Sequence, residues 1–449
     1  MARPRAYTRG VTAVQHDVLV VGGGPAGLAC AIALLRRGRE PLVLEAADAP
    51  GGRVRTDERS GFLLDRGFQV VNTTYPALAR YAPVAELALH LLPSSATVVW
   101  EGRQHVVGNP LRDPASVVGM LRAPFLGLGD ALALARAVGP HLVTNRAAIG
   151  SDADDLSAAQ WLADSGVPAR VVEAFLRPFF GGVLLDPELG TSARCLRYDL
   201  RQFSVGAAGL PARGMRAVPE FMASRLGTHR VRTESRVAAL LRGHDGTVGG
   251  VRLHDGAELR AAAVVIATEA PAAAELTGLP LPTEGVGEVA VHVALDRRLL
   301  PGGRLLLDPT PGAVFTNCAE PAAVAPAYAP AGRSAVVLVA PGALGAGAVE
   351  RRDPRAGWDD ATWHSAADEA LRTWFPSLPA AATHMLRVDR IPFGLLRQPP
   401  GIHARLRALA DTGIPGLHLA GEHTLAASLN AAMLSGERAA RAVVADPPR

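Results

Sequence analysis

The 449-residue chain contains no lysine, so arginine supplies all 46 of its basic residues. Aromatic residues make up only 5% of the sequence, and cysteine occurs three times, at Cys30, Cys195 and Cys318. Those cysteines have neither the density of a disulfide scaffold nor the short spacing of a zinc or redox motif. No metal site is expected, and the thiols read as reduced side chains of a cytoplasmic protein. The arginines alternate with 42 carboxylates and form no basic run interleaved with aromatics, which argues against a nucleic-acid-binding face. No uninterrupted apolar run reaches the roughly 20 residues that cross a bilayer. The first fifteen residues lack the apolar core of a secretory leader, and 1–14 reads as a flexible tail. With 49% hydrophobic and 20% charged residues, the chain is expected to fold around a large core divided between two domains.

What is present is a nucleotide signature. The apolar strand pattern of Asp17–Val21 runs into Gly22-Gly23-Gly24-Pro25-Ala26-Gly27 and then into helical sequence. A strand, a glycine turn and a helix start in that order bring backbone N–H groups and the positive helix end onto a pyrophosphate. Gly22 makes the tight turn, Gly24 admits the phosphates, and Gly27 lets the helix lie close to the strand, with Pro25 and Ala26 opening the helix. A second apolar strand over 41–44 ends at Glu45, where a carboxylate can accept from both hydroxyls of an adenosine ribose. Gly51-Gly52-Arg53 follows. An NAD enzyme has no particular need of that run, but a flavin lying along the domain does. An arginine fork can neutralise its diphosphate, and paired glycines let backbone come near.

With these residues the chain resembles the flavin-dependent superfamily of amine oxidases, phytoene desaturases and protoporphyrinogen oxidases. The likeness is carried by the cofactor segments and covers the rest poorly, although Arg177–Val183 and Asp186–Leu189 resemble a stretch of the desaturase-like branch. It implies noncovalent FAD, with Glu45 on the adenosine ribose, Arg53 near the phosphates and the backbone of Val237 facing the adenine. It also implies that Asp65-Arg66-Gly67-Phe68-Gln69 passes the isoalloxazine, Gly67 allowing close approach. Near the C-terminus a buried strand ends at Gly421-Glu422 and a helix begins near Asn430. There the resemblance implies that Glu422 bonds the ribityl or phosphate region, and that the amides of Asn430 and Ala431 face the pyrimidine edge.

The expected fold class is α/β: a discontinuous FAD-binding Rossmann-like domain (15–72, 206–270 and 415–449) with a mixed α+β substrate domain (73–205 and 271–414). A meander is expected over 237–268, with turns at His244-Asp245-Gly246 and His254-Asp255-Gly256 that expose both histidines. The resemblance returns its last strand to the parent sheet at Thr268. In the second domain, 96–107 reads as a hairpin, 289–295, 304–307 and 334–339 as strands, and Ser157 as a helix cap. Residues 116–143 read either as helices covering that domain or as a peripheral contact with the inner face of a membrane.

The expected activity is oxidation or desaturation of a small apolar molecule, isoprenoid or carotenoid-like, by hydride transfer to flavin N5, with oxygen or a quinone as acceptor. A flavin amine oxidase or a protoporphyrinogen-type oxidase is the alternative, and a flavin-free escort protein on the same scaffold a third. Many amine oxidases of the superfamily hold a water against N5 with a lysine, which this chain cannot do. No Tyr or Trp pair stands beside the C-terminal flavin segment in sequence. His423, Arg66 and Gln69 are the candidate catalytic residues, with a surface Asp65–Arg66 ion pair the competing reading for Arg66. His292, on an alternating strand, reads as a core histidine.

Overall fold

The computed structural model describes residues 16–143, 155–379 and 382–446. The tail read over 1–14 lies outside these residues. The strand His16–Val21 carries a buried apolar core and turns at Gly22 into the helix Pro25–Leu35, whose small side chains are almost wholly buried. That helix is covered by the C-terminal helix Leu429–Ala445. A Cβ on Gly436 would overlap the Ala26 carbonyl, so this glycine lets the two helix backbones meet.

The first sheet draws on three stretches of the chain. In order across it lie Val231–Arg232, Pro41–Leu44, His16–Val21, Glu258–Ile266, Val248–Leu253 and Val237–Arg242, with Leu417–Leu419 also paired to Glu258–Ile266. The long strand Glu258–Ile266 serves two purposes. Its first residues close the antiparallel meander, and Val264–Ile266 run parallel between His16–Val21 and Leu417–Leu419. The meander forms where the Asp-Gly turns place it, and His244 and His254 are exposed.

The second sheet runs Thr383–Leu396, Gly285–Leu295, Ser334–Gly345, Asn317–Ala319, Leu305–Leu307, Ser95–Trp100 and Arg103–Gly108. The expected hairpin over 96–107 is its edge. The strand expected over 334–339 continues to Gly345, and that over 289–295 starts earlier, at Gly285. Gly285–Leu295 is buried along its whole length, between two long antiparallel neighbours. Helix Asp360–Trp374, capped by Asp359, lays Trp363, Ala367 and Leu371 on one face of this sheet.

A helical layer completes the fold. Ser157 caps Ala158–Asp164 in a reciprocal capping box with Gln160. The stretch that resembles the desaturase-like branch is a packing junction. Gly182 lies against the Asn317 side chain, and Asn317 Nδ2 donates to the Pro178 carbonyl at 3.1 Å. Residues 116–143 break at Pro124 into helices Ser116–Arg122 and Leu128–Val143. Gly119 seats the first of these on the Val106 carbonyl of the edge hairpin, so the segment covers the second sheet. Its outer side nevertheless exposes Val118, Leu121 (68%), Leu128 (80%) and Leu132.

Candidate functional site

The glycine turn is built as its spacing requires. Gly22 has φ 108°, and a Cβ there would stand 2.9 Å from the Ala267 carbonyl carbon, while one on Gly27 would overlap the Gly22 carbonyl oxygen. Gly24 differs: nothing lies within 4 Å of where its Cβ would be, and a Cβ on Gly52 would sit 3.5 Å from the Gly24 Cα. The two glycine loops thus face one another, joined by the Gly51 N–H to the Gly23 carbonyl at 2.9 Å. They form an open cradle at the start of helix Pro25–Leu35, the chemistry a pyrophosphate needs. Thr268 borders the same turn, its nitrogen 3.1 Å from the Cβ that Gly22 lacks.

Glu45 sits at the rim of this cradle. Its Oε2 accepts from the Gly23 N–H at 2.7 Å and its Oε1 from the Ala47 N–H at 2.8 Å. Each carboxylate oxygen keeps a second lone pair for a hydroxyl donor. The Glu45 carbonyl accepts from Ser235 N–H, which brings in the segment leading to Val237.

Arg53 is not a free cation. Its Nη2 donates to Glu422 Oε1 at 2.5 Å and its Nη1 to the Gly394 carbonyl at 2.7 Å, with the guanidinium carbon 5.5 Å from the centre of the Phe393 ring. Glu422, buried, also takes the Leu396 N–H at 3.0 Å. Gly421 donates to Ser435 Oγ at 2.8 Å, which fixes the turn to the C-terminal helix.

The proposed catalytic side chains are placed less favourably for chemistry. The Asp65–Arg66 ion pair, the competing reading for Arg66, does not form, because neighbouring residues of an extended chain point to opposite sides. Arg66 pairs instead with Asp57 through two bonds of 3.0 and 3.1 Å. Asp65 turns inward to Thr56 Oγ1, the Met215 N–H and the Tyr328 hydroxyl. Burial raises its carboxyl above the ordinary range. Gln69 Nε2 donates to the Arg53 and Arg66 carbonyls, tying two loops together. His423 is completely buried (0% exposed), and neither ring nitrogen has a hydrogen-bond partner among the described residues. Burial, with the Arg53 charge in support, lowers it to about 4, so the ring is neutral at neutral pH. His292 is a core histidine, its Nε2 3.1 Å from Asp389 Oδ2.

At the C-terminal helix a serine cap engages one of the amides singled out in the sequence. The Ala431 N–H, read as a donor to a ligand edge, is taken by the Ser428 hydroxyl cap at 3.1 Å. Asn430 bridges two elements, its Oδ1 accepting from the Ala77 N–H and its Nδ2 donating to Tyr198 Oη at 3.1 Å. An aromatic residue therefore does stand beside this segment, supplied by the helix Ala193–Val205. Nothing local to Asn430 signals it. The Gly67–Phe68 turn rests on Glu288 and Asp389, which no motif singled out.

A parallel strand–glycine turn–helix unit with an acid ending its second strand, closed by a third strand that feeds the C-terminal helix, defines a dinucleotide-binding α/β fold. The chain belongs to the flavin containing amine oxidoreductase family, which it matches over residues 25–444. It is 24% identical over 481 aligned residues to a 15-cis-phytoene desaturase of an Oncidium hybrid cultivar, across 96% of this chain and 78% of that one. A putrescine oxidase of Kocuria rosea is 44% identical, over 17% of this chain and 16% of its own. The fold is shared with an oxidoreductase from Methanosarcina mazei (TM-score 0.71, 16% identity, covering 96% of this chain and all of that one). The protein is a flavin-dependent oxidoreductase.

Proposed function

We propose that the protein binds FAD noncovalently and oxidises or desaturates a small apolar substrate of isoprenoid or carotenoid-like character. One observation carries the choice of substrate. In sequence, the match to a phytoene desaturase runs over 96% of the chain and the match to a putrescine oxidase over 17%, although solved amine oxidases share the fold throughout. The absence of lysine supports the same reading, because abstraction of hydride from an unactivated carbon makes little use of a protein base.

The residues fit the cofactor. Glu45 would hold the adenosine ribose, the cradle between Gly24 and Gly52 the pyrophosphate, and the Arg53–Glu422 pair the region beyond it. When bound, FAD supplies the hydride acceptor, to be reoxidised by oxygen or a quinone. The chain's own part is to orient and to exclude water. Arg53 is already neutralised by Glu422, so the pair fixes geometry without adding net charge. His423, neutral and enclosed, lends the site a dry wall and no proton. The protein is cytoplasmic in this reading, its exposed Leu121, Leu128 and Leu132, with exposed Arg122 and Arg136 among them, resting on the membrane surface from which an apolar substrate is drawn.

The test is a visible spectrum before and after acid precipitation, then anaerobic bleaching by phytoene in vesicles and by putrescine. Flavin released to the supernatant and bleached by the polyene supports the proposal. Colour that stays in the pellet, or bleaching by the amine alone, overturns it. Tyr198 beside Asn430 favours an amine oxidase, since recognition of a nitrogen uses aromatic faces, as does the fold shared with solved amine oxidases.

A further inference from the structure

The Gly67–Phe68 turn rests on a set of side chains that this function leaves unused. In the strand Gly285–Leu295 the two-residue period separates two faces. Val289, Val291, Val293 and Leu295 pack with Trp363, Ala367 and Leu371. Glu288, Ala290, His292 and Ala294 lie on the other face, where Phe68 packs against the cluster of Ala290 and Phe62 and Leu64 against that of Ala294.

Glu288 is 6% exposed. Its Oε1 lies so close to Gly67 that a Cβ there would overlap it, and the backbone of Phe68 hydrogen-bonds to the same carboxyl. Gly67 has φ 79°, and its N–H points at Asp389 Oδ2 at 3.4 Å. Two consecutive residues of one turn are therefore held by two carboxyl groups.

Their surroundings differ. Burial opposes ionisation of Asp389, but the bond from His292 and the charges of His292 and Arg387 outweigh it and hold its carboxyl below the usual range. Among the described residues Glu288 has no such partner. Arg387 is shared among Asp57, Asp389 and the Leu64 and Asp65 carbonyls. Arg66 is on Asp57, and Arg351, from the helix Ala346–Arg351 packed near the start of the strand, is on the Gly342 carbonyl. The residues across from Glu288 on the flanking strands are Pro341 and Ile391, both uncharged. Asp65, in the same loop, is already engaged by Thr56, Met215 and Tyr328. Burial pushes the Glu288 carboxyl up to about 8, against the Phe68 N–H bond and with the charge of Asp389.

We propose that Glu288 is a positioning residue for the flavin, an uncharged carboxylic acid that holds the Gly67–Phe68 turn in the shape the cofactor needs and releases it on ionising. A carboxylate at this place would be buried with no cation of its own among the described residues; that burial, with ionised Asp389 beside it, outweighs the Phe68 N–H bond and drives it towards water. The turn to which it is bonded moves with it. The inference rests on the reading that FAD lies along this turn.

The experiment measures FAD affinity of the apoprotein by fluorescence titration between about pH 6.5 and about pH 9.5, for the wild type and for Glu288→Gln. The amide keeps the hydrogen bond and cannot ionise. The wild type is expected to lose about tenfold in affinity over one pH unit above the Glu288 titration, as one linked proton requires, while Glu288→Gln stays flat at the wild type's neutral-pH value. Superposable profiles, whether flat or falling, overturn the assignment, since a merely structural role would leave the pH dependence unchanged.

Should Glu288→Gln not fold, the infrared spectrum of the wild type decides, with Asp65→Asn and Asp199→Asn marking the bands of the other two carboxyls that burial raises. A protonated-carboxyl band lost in step with FAD affinity supports the proposal. Loss of affinity with no such band, or a flat wild-type profile, overturns it. A wild type that binds no FAD at any pH sinks the cofactor reading and this inference together.

Discussion

Arg53 and Glu422 are 369 positions apart in the chain and 2.5 Å apart in the fold. Through them the second glycine loop and the turn after the last strand of the first sheet become one structure. The same two side chains reach the Gly394 carbonyl and the Leu396 N–H, so the end of the strand Thr383–Leu396 of the second sheet is pinned to both. The ion pair is thus the joint at which the nucleotide cradle meets the sheet that carries Glu288 and His292.

Removing one partner of this joint should cost more than neutralising it. Arg53→Ala leaves buried Glu422 without its cation and is expected to lower stability by roughly 2–3 kcal/mol, short of the fully buried range because Arg53 keeps contact with solvent. Glu422→Gln, which retains an acceptor for the guanidinium, should cost less, and both should weaken FAD binding. Chemical denaturation and flavin titration of the two variants check this. A smaller loss from Arg53→Ala than from Glu422→Gln would contradict it.

The glycines of the first turn should separate into those the fold needs and one the ligand needs. A Cβ at Gly27 overlaps the Gly22 carbonyl, so Gly27→Ala is expected to destabilise the protein by about 3 kcal/mol. A Cβ at Gly24 meets nothing within 4 Å, so Gly24→Ala should melt like the wild type yet bind FAD poorly. Thermal melts and flavin content, measured on the same preparations, distinguish the two. Loss of folding in Gly24→Ala would show that its role is structural.

His423 makes stability depend on pH in a definite direction. Its folded value is lowered to about 4 from 6.5, so the unfolded chain binds the extra proton between these limits. The stabilisation is complete above about pH 6.5 and is lost as pH falls towards about 4, a change on the order of 3 kcal/mol. Denaturation midpoints of His423→Leu should fall less steeply over this window than those of the wild type. Parallel curves would assign the acid sensitivity to other groups.

The exposed leucines of the helices Ser116–Arg122 and Leu128–Val143 predict adsorption to lipid. Leu121→Glu combined with Leu128→Glu should abolish co-sedimentation with anionic vesicles and leave the melting temperature unchanged, because both side chains face solvent. Unaltered sedimentation would remove the membrane from the functional reading.

Some of this was legible because its cause is local. A glycine turn between a strand and a helix, Asp-Gly between alternating segments and a serine three residues ahead of Gln160 each act within a few residues of themselves. Other readings failed for want of the third dimension. Asp65 and Arg66 are neighbours in sequence but are sent to opposite sides, one into the core with Tyr328 and the other to Asp57. The Ala431 N–H carries the Ser428 cap, a bond that only the fold of the helix start reveals.

By itself, then, the sequence determined the nucleotide turn, the acid that ends the second strand and the meander with its Asp-Gly turns, because short-range sterics and periodicity specify each. Only the tertiary structure decided which charges are spent and which are left. It paired Arg53 with Glu422, brought Tyr198 to Asn430, and set Glu288 under a glycine turn without a cation. Such pairings depend on how sheets and helices from distant segments pack, and the strength of a charge depends on the burial that packing creates.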